Sequence, residues 1–210
     1  MLRKVLLACG IVSSLLYIGT DLLAASQWAG YSSFSQTVSE LAGINAPTRP
    51  LVVPLWVAYS LLVYVFGAGV WSSAGARRAL RLTAAGLIGK EVLGLVVSLF
   101  FPIHLRGVAV TLTDTMHGVL TMAGNLFMLL AILSAATALG KRFGRYSVVT
   151  GILLVVCGAA AGTQIPKLAA NLPTPWMGML ERTNIYAYML WVIVLTVNLL
   201  REKGGRHENN

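Results

Sequence analysis

Residues 79–101 read ALRLTAAGLIGKEVLGLVVSLFF, with Arg77-Arg78 just before them and Pro102 just after. An apolar run of this length is what a helix needs to cross about 30 Å of hydrocarbon at about 1.5 Å per residue. Lys90 and Glu91 lie inside it, roughly 15 Å by helix rise from the basic edge, at the depth of the bilayer midplane. A charge there costs at least about 2.5–3.5 kcal/mol on insertion scales, so it needs a partner or a cavity. Adjacent residues point about 100° apart, so the two side chains need not pair directly. Gly86, Lys90, Gly94 and Ser98 recur every four residues and permit close helix contact. That face places this helix at the centre of a bundle.

Working outward, five further apolar runs occupy residues 5–25, 51–72, 115–139, 146–165 and 180–200. Prolines bound several of them, among them Pro47, Pro50 and Pro54 before the second, Pro166 after the fifth, and Pro173 and Pro175 before the sixth. The 210 residues are 57% hydrophobic and 11% charged, and the mean hydropathy is +0.76. A soluble domain carries about a quarter charged residues, which excludes that class. The alternating segments of about ten residues that build a membrane barrel are absent from the sequence. The predicted fold class is all-α, a polytopic membrane bundle of six transmembrane helices. One domain spans residues 1–203, and 204–210 form a short disordered cytoplasmic tail. The segment Leu22-Leu23-Ala24-Ala25-Ser26 mimics a signal-peptidase site, but Asp21 beside it favours an uncleaved first helix.

The side of each loop follows from basic residues. With the N-terminus in the cytoplasm, Arg3, Lys4, Arg77, Arg78, Arg81, Lys141, Arg142, Arg145, Arg201, Lys203 and Arg206 lie inside. Only Arg49, Arg106, Lys167 and Arg182 lie outside. Both termini are therefore expected to be cytoplasmic. The net charge of +9 belongs to topology and anionic lipid, not to nucleic acid. Cys9 and Cys157 sit in separate apolar runs and read as small buried hydrophobes. Arg81 to Pro102 and Arg145 to Pro166 are equal spacings with Gly94 and Gly158 in register, a hint of duplicated hairpins.

The remaining polar residues gather at one side. Asp114, His117, Thr121 and Asn125 follow intervals of three, four and four, on one face of the fourth span. Asn125 is deep enough to meet Glu91. Asp114 and His117 can hydrogen-bond along the helix, either to orient an imidazole for general-base work or as a polar cap. Asp21 ends the first span with Tyr17 one turn beneath, and Glu40 lies in the long loop before the second. His104 follows Phe101-Pro102. Glu181-Arg182 opens the sixth span, where Glu181, Asn184, Tyr188 and Trp191 share a face. No histidine or cysteine spacing supports a metal, and no nucleotide or dinucleotide fingerprint is present, so no cofactor is expected.

The loop Phe34-Ser35-Gln36-Thr37-Val38-Ser39-Glu40-Leu41-Ala42-Gly43, followed by Ala46-Pro47-Thr48-Arg49-Pro50, resembles the first outer loop of the prokaryotic membrane family catalogued as domain of unknown function 998. The resemblance continues through Phe101-Pro102, His117 and Gly178-Met179-Leu180-Glu181-Arg182, nearly the whole chain. His104 departs from it, standing where an acidic residue is expected. The resemblance implies the fold and a cytoplasmic (inner) membrane location, and supplies no mechanism.

Three classes of function accommodate these residues. The first is an intramembrane acid/base enzyme acting on a lipid or isoprenoid-like substrate in the outer half of the bundle. Its catalytic candidates are Glu91, His117, Asp114, Asp21 and Glu181, and its substrate-binding candidates Lys90, Thr121, Asn125, Glu40, Arg182 and Tyr188. The second is a small proton-coupled transporter, which six helices would favour building as a homo-oligomer. The third is a non-catalytic partner or sensor whose polar residues only hold helices together. Membrane lipids are the partner common to all three.

Overall fold

A computed structural model describes residues 1–202; the tail expected at 204–210 lies outside the described residues. The described chain is helical, with no named strand. Six helices are long and apolar enough to cross a membrane. In chain order the α-helices are α1 (Leu2–Gln27), α2 (Arg49–Ser73), α3 (Arg78–Phe100), α4 (Leu112–Ala138), α5 (Gly140–Gly162), the short α6 (Ile165–Ala169) and α7 (Met177–Arg201). A single 3-10 turn, Val38–Ala42, interrupts the loop between α1 and α2. The chain is thus a multi-pass membrane protein.

Local chemistry moves several boundaries outward from the expected runs. Helix α4 starts at Leu112 because Thr111 and Asp114 form a capping box, which satisfies otherwise unpaired first-turn N–H groups. Helix α5 starts six residues earlier than its apolar run. Gly140 takes a φ of 84°, a left-handed conformation that lets the chain reverse at once after α4. Lys141, Arg142 and Arg145 therefore stand on helix and not in a loop. Pro54 falls inside α2 but within its second turn, where it removes one backbone bond near the helix start.

The long helices form a closed ring. Each packs on the next in chain order from α1 to α5, and α7 packs on both α5 and α1. Helix α3 is one member of this ring, not its centre, because in a six-membered ring every span needs only two neighbours. Small residues set the closest approaches. A Cβ on Gly86 would lie 2.7 Å from the Phe127 carbonyl oxygen of α4, and one on Gly69 2.9 Å from Leu6 Cβ of α1. Gly94, expected on the same contact face as Gly86, meets only the Glu91 side chain of its own helix. The core runs through Leu7, Phe66, Leu87, Ile132, Trp191 and Leu195.

Candidate functional site

At the loop-rich end, two ion pairs fasten a folded loop over the ring. Thr37 and Glu40 form a second capping box: Thr37 N–H donates to Glu40 Oε2 at 2.6 Å, and Glu40 N–H donates to Thr37 Oγ1 at 3.2 Å. Glu181 accepts from the free Val38 N–H at 2.6 Å and from Ser39 Oγ at 3.3 Å. Its neighbour Arg182 makes a bidentate pair with Asp21 of α1, at 3.0 and 2.8 Å. The same guanidinium donates to the Ser33 and Gln36 carbonyls, each at 2.8 Å, and to Tyr31 Oη at 2.7 Å. Tyr186 Oη donates to Asp21 as well. Arg106 supplies the second clamp, donating to Glu40 at 2.7 Å, to Thr174 Oγ1 at 2.7 Å and to the Ser35 carbonyl. Asp21 and Glu40 are each 1% exposed, so both charges depend on these arginines.

Burial pushes the Tyr31 hydroxyl well above its ordinary range, so it stays protonated and donates to the Thr37 carbonyl at 2.7 Å. Ile44 N–H donates to the Ile103 carbonyl at 2.7 Å, joining the second loop to the first. The segments Phe34–Gly43 and Gly178–Arg182, remote in sequence, thus form one joint, and Gly178 shows why its spacing is narrow. A Cβ there would fall on the Gln36 carbonyl oxygen and lie 2.6 Å from that of Ser33. Gly178→Val is expected to cost about 1–3 kcal/mol by overpacking, read as a lower unfolding temperature in detergent. An unshifted transition would show that the loop does not sit on α7.

Asp114 and His117 do not pair with each other. Asp114 accepts from the His104 backbone N–H at 2.7 Å, lies 2.9 Å from His104 Nδ1, and accepts from Thr111 N–H at 2.8 Å. Its first-turn position makes the unpaired backbone donors stronger competitors for the carboxylate than an imidazole one turn away. His104 thereby meets an acidic group after all, one supplied from α4. His117 Nδ1 lies 2.8 Å from the Phe101 carbonyl, which ties α4 to the end of α3.

Midway along the ring lies a different cluster. Glu91 is 3% exposed; it accepts from Ser60 Oγ of α2 at 2.6 Å and from Lys90 Nζ at 3.3 Å. The long lysine side chain bridges the angle between adjacent positions. Its ammonium lies 5.9 Å from the Tyr59 ring and 5.2 Å from the Tyr188 ring, spanning α2, α3 and α7. Tyr17 stacks on Trp56 and meets Tyr59 edge-on. The indole N–H of Trp56 is buried without a partner among the described residues. Trp191 donates to Ser147 at 2.9 Å and Asn184 to the Leu154 carbonyl at 2.7 Å, joining α7 to α5.

The seam between α4 and α5 is closest at one end. Gly144 of α5 touches α4 so closely that a Cβ would lie 2.7 Å from the Ala136 carbonyl oxygen. Eighteen residues are five helical turns, so Gly118 and Gly162 lie on the same faces of the two helices about 27 Å away. A Cβ on either meets nothing within 4 Å. Helices α4 and α5 therefore diverge toward the loop-rich end. Thr121 and Asn125 are exposed, although Met128 and Ile132, seven residues on and so on the same faces, are buried. Gly124 approaches the Lys90 carbonyl, which puts Asn125 at the level of the Lys90–Glu91 pair, though the two share no hydrogen bond. Among the described residues no group of three His, Cys, Asp or Glu side chains could hold a metal ion.

Of the residues singled out from sequence, the structure brings Lys90, Glu91 and Tyr188 together, with Thr121 and Asn125 along the opening. Asp21, Glu40, Glu181 and Arg182 hold the loop, and Asp114 and His117 hold the α3–α4 connection. Sequence reasoning missed Ser60, Trp56, Tyr59 and Arg106. The signal available for the first three was the polar-aromatic run Trp56-Val57-Ala58-Tyr59-Ser60 inside an apolar span. A family model described as a protein of unknown function (DUF998) matches residues 11–198, and the chain belongs to that family. No curated protein and no solved structure matches it.

Proposed function

We propose that this DUF998 member is an intramembrane acid/base enzyme acting on a lipophilic, lipid- or isoprenoid-like substrate. The observation that carries the reading is a buried Glu91 paired with a half-buried Lys90 among aromatic rings, with Gly118 and Gly162 out of contact along the α4–α5 seam. A sideways opening between membrane helices admits a substrate from the lipid phase, and an apolar pocket with few polar groups suits such a molecule. Glu91 is the group that exchanges a proton with the substrate. Lys90 is its counter-charge and faces any substrate oxygen, Tyr59 and Tyr188 form the walls, and Thr121 and Asn125 line the entry. The loop clamp closes the end above, which leaves the lateral route. By the count of basic residues, the clamp faces outward from the cytoplasmic membrane.

The test is Glu91→Gln, which keeps the shape and the Ser60 bond but removes the exchangeable carboxyl proton. Lipid extracts of cells expressing wild type are expected to show a species gained or lost relative to cells without the protein. The variant is expected to leave that species unchanged and to stay folded, with a lower unfolding temperature because Lys90 loses its carboxylate partner. A folded variant that remodels the same lipid as fully as wild type would rule the reading out. A second reading, fastening without chemistry, is favoured by the same Ser60–Glu91–Lys90 contacts, and replacing both charged groups separates the two.

A further inference from the structure

At the opposite end of the bundle, the basic residues differ in what they touch. Arg3 donates to Ser73 Oγ at 2.7 Å and to the Leu199 carbonyl at 2.7 Å. Arg77 pairs with Glu202 at 2.8 Å, and Arg81 donates to the Gly75 carbonyl at 2.8 Å while its guanidinium lies over Trp71. Lys4, Arg78, Lys141, Arg142, Arg145 and Arg201 are exposed and have no side-chain hydrogen bond or ion pair among the described residues, and Lys141, Arg142 and Arg145 stand together in the first turns of α5. No described acid pairs with them. Asp21, Glu40, Asp114 and Glu181 lie at the loop-rich end, Glu91 is midway, and Glu202 is held by Arg77.

Below these cations the surface is apolar and shallowly grooved. Lys141 and Arg145 share a trough with Gly144, Val148 and Val149. Val148 also lines a second trough between α4 and α5, which continues past Gly151 to Val155 and Val156. Gly144 brings α5 into contact with Ala136 of α4, and the groove beside that contact is lined by Leu129 and Leu133 of α4 with Val148 and Ile152 of α5. From Arg145 to Val156 the helix rises about 16 Å, close to half of the roughly 30 Å hydrocarbon core.

We propose that this trough binds one anionic phospholipid, its phosphate held by Lys141 and Arg145 and an acyl chain laid along Val148 toward Val156. Cations at the head of an apolar channel match an anionic headgroup above a chain, and basic pockets between membrane helices are suited to such lipids. The trough contains neither Lys90 nor Glu91, and its reading does not depend on theirs.

The experiment uses the full chain in detergent, titrated with phosphatidylglycerol or phosphatidylcholine and read by native mass spectrometry and by unfolding temperature. Phosphatidylglycerol is expected to bind and raise the transition, while phosphatidylcholine and inorganic phosphate leave it unmoved. Lys141→Gln with Arg145→Gln is expected to weaken phosphatidylglycerol about thirtyfold. Arg78→Gln with Arg201→Gln, an equal loss of charge elsewhere at this end, is expected to retain it. Val148→Trp, which fills the trough and keeps every cation, is expected to lose it too. Equal response to both lipids, equal losses in the two double variants, or full binding by Val148→Trp would each overturn the proposal.

Discussion

Arg182→Leu is expected to lower stability by about 3–5 kcal/mol, the cost of removing one partner from a buried ion pair. In thermal unfolding followed by tryptophan fluorescence, this is a fall on the order of 10 °C. The size follows from what Arg182 leaves behind. Asp21, 1% exposed, keeps only the Tyr186 hydroxyl as donor. The Ser33 and Gln36 carbonyls lose the guanidinium that held them, and the loop loses its attachment to α1 and α7 together. Asp21→Leu added to Arg182→Leu removes the stranded carboxylate and is expected to recover only part of the loss, since those loop carbonyls stay unpaired. A single variant melting within about 2 °C of wild type would show that the clamp does not hold the fold.

The number and type of membrane helices were legible in sequence because bilayer thickness sets the length of an apolar run and charge marks its ends. Helix starts were not legible in the apolar runs, although local chemistry writes two of them. Thr37-Val38-Ser39-Glu40 and Thr111-Leu112-Thr113-Asp114 both carry the capping-box pattern, and both form it. Of the two readings open for Asp114, the polar cap is the one that forms, because free backbone donors in the first turn and His104 compete more strongly for the carboxylate than His117 does. The ring itself was not legible, since nothing in the sequence tells α3 that α7 closes against α1. For the same reason the Asp21–Arg182 pair joins residues 161 apart that no periodicity connects. The opening between α4 and α5 has a trace in sequence, as Gly118 and Ala136 repeat the eighteen-residue spacing of Gly144 and Gly162. That trace gains meaning only once Gly144 is seen to touch Ala136.

Lys90→Met and the double replacement of Lys90→Met with Glu91→Leu are expected to diverge, and the divergence separates chemistry from packing. The single variant strands Glu91, a carboxylate 3% exposed with Ser60 as its remaining hydrogen-bond donor. A cost of about 3 kcal/mol or more follows from an uncompensated buried charge. The double variant removes both charges and fills the space with apolar side chains, a change that is often neutral or stabilising in buried pairs. Its unfolding temperature should therefore return close to that of wild type, with Tyr59 and Tyr188 packing on the introduced thioether in place of an ammonium. If the pair serves acid/base chemistry, the double variant is a stable protein that no longer alters the lipid species changed by wild type. If the pair is only a fastening, the same variant alters that species as wild type does. A double variant as unstable as the single one would mean that the hydrogen bonds of the pair, not its net charge, hold α2, α3 and α7 in the ring.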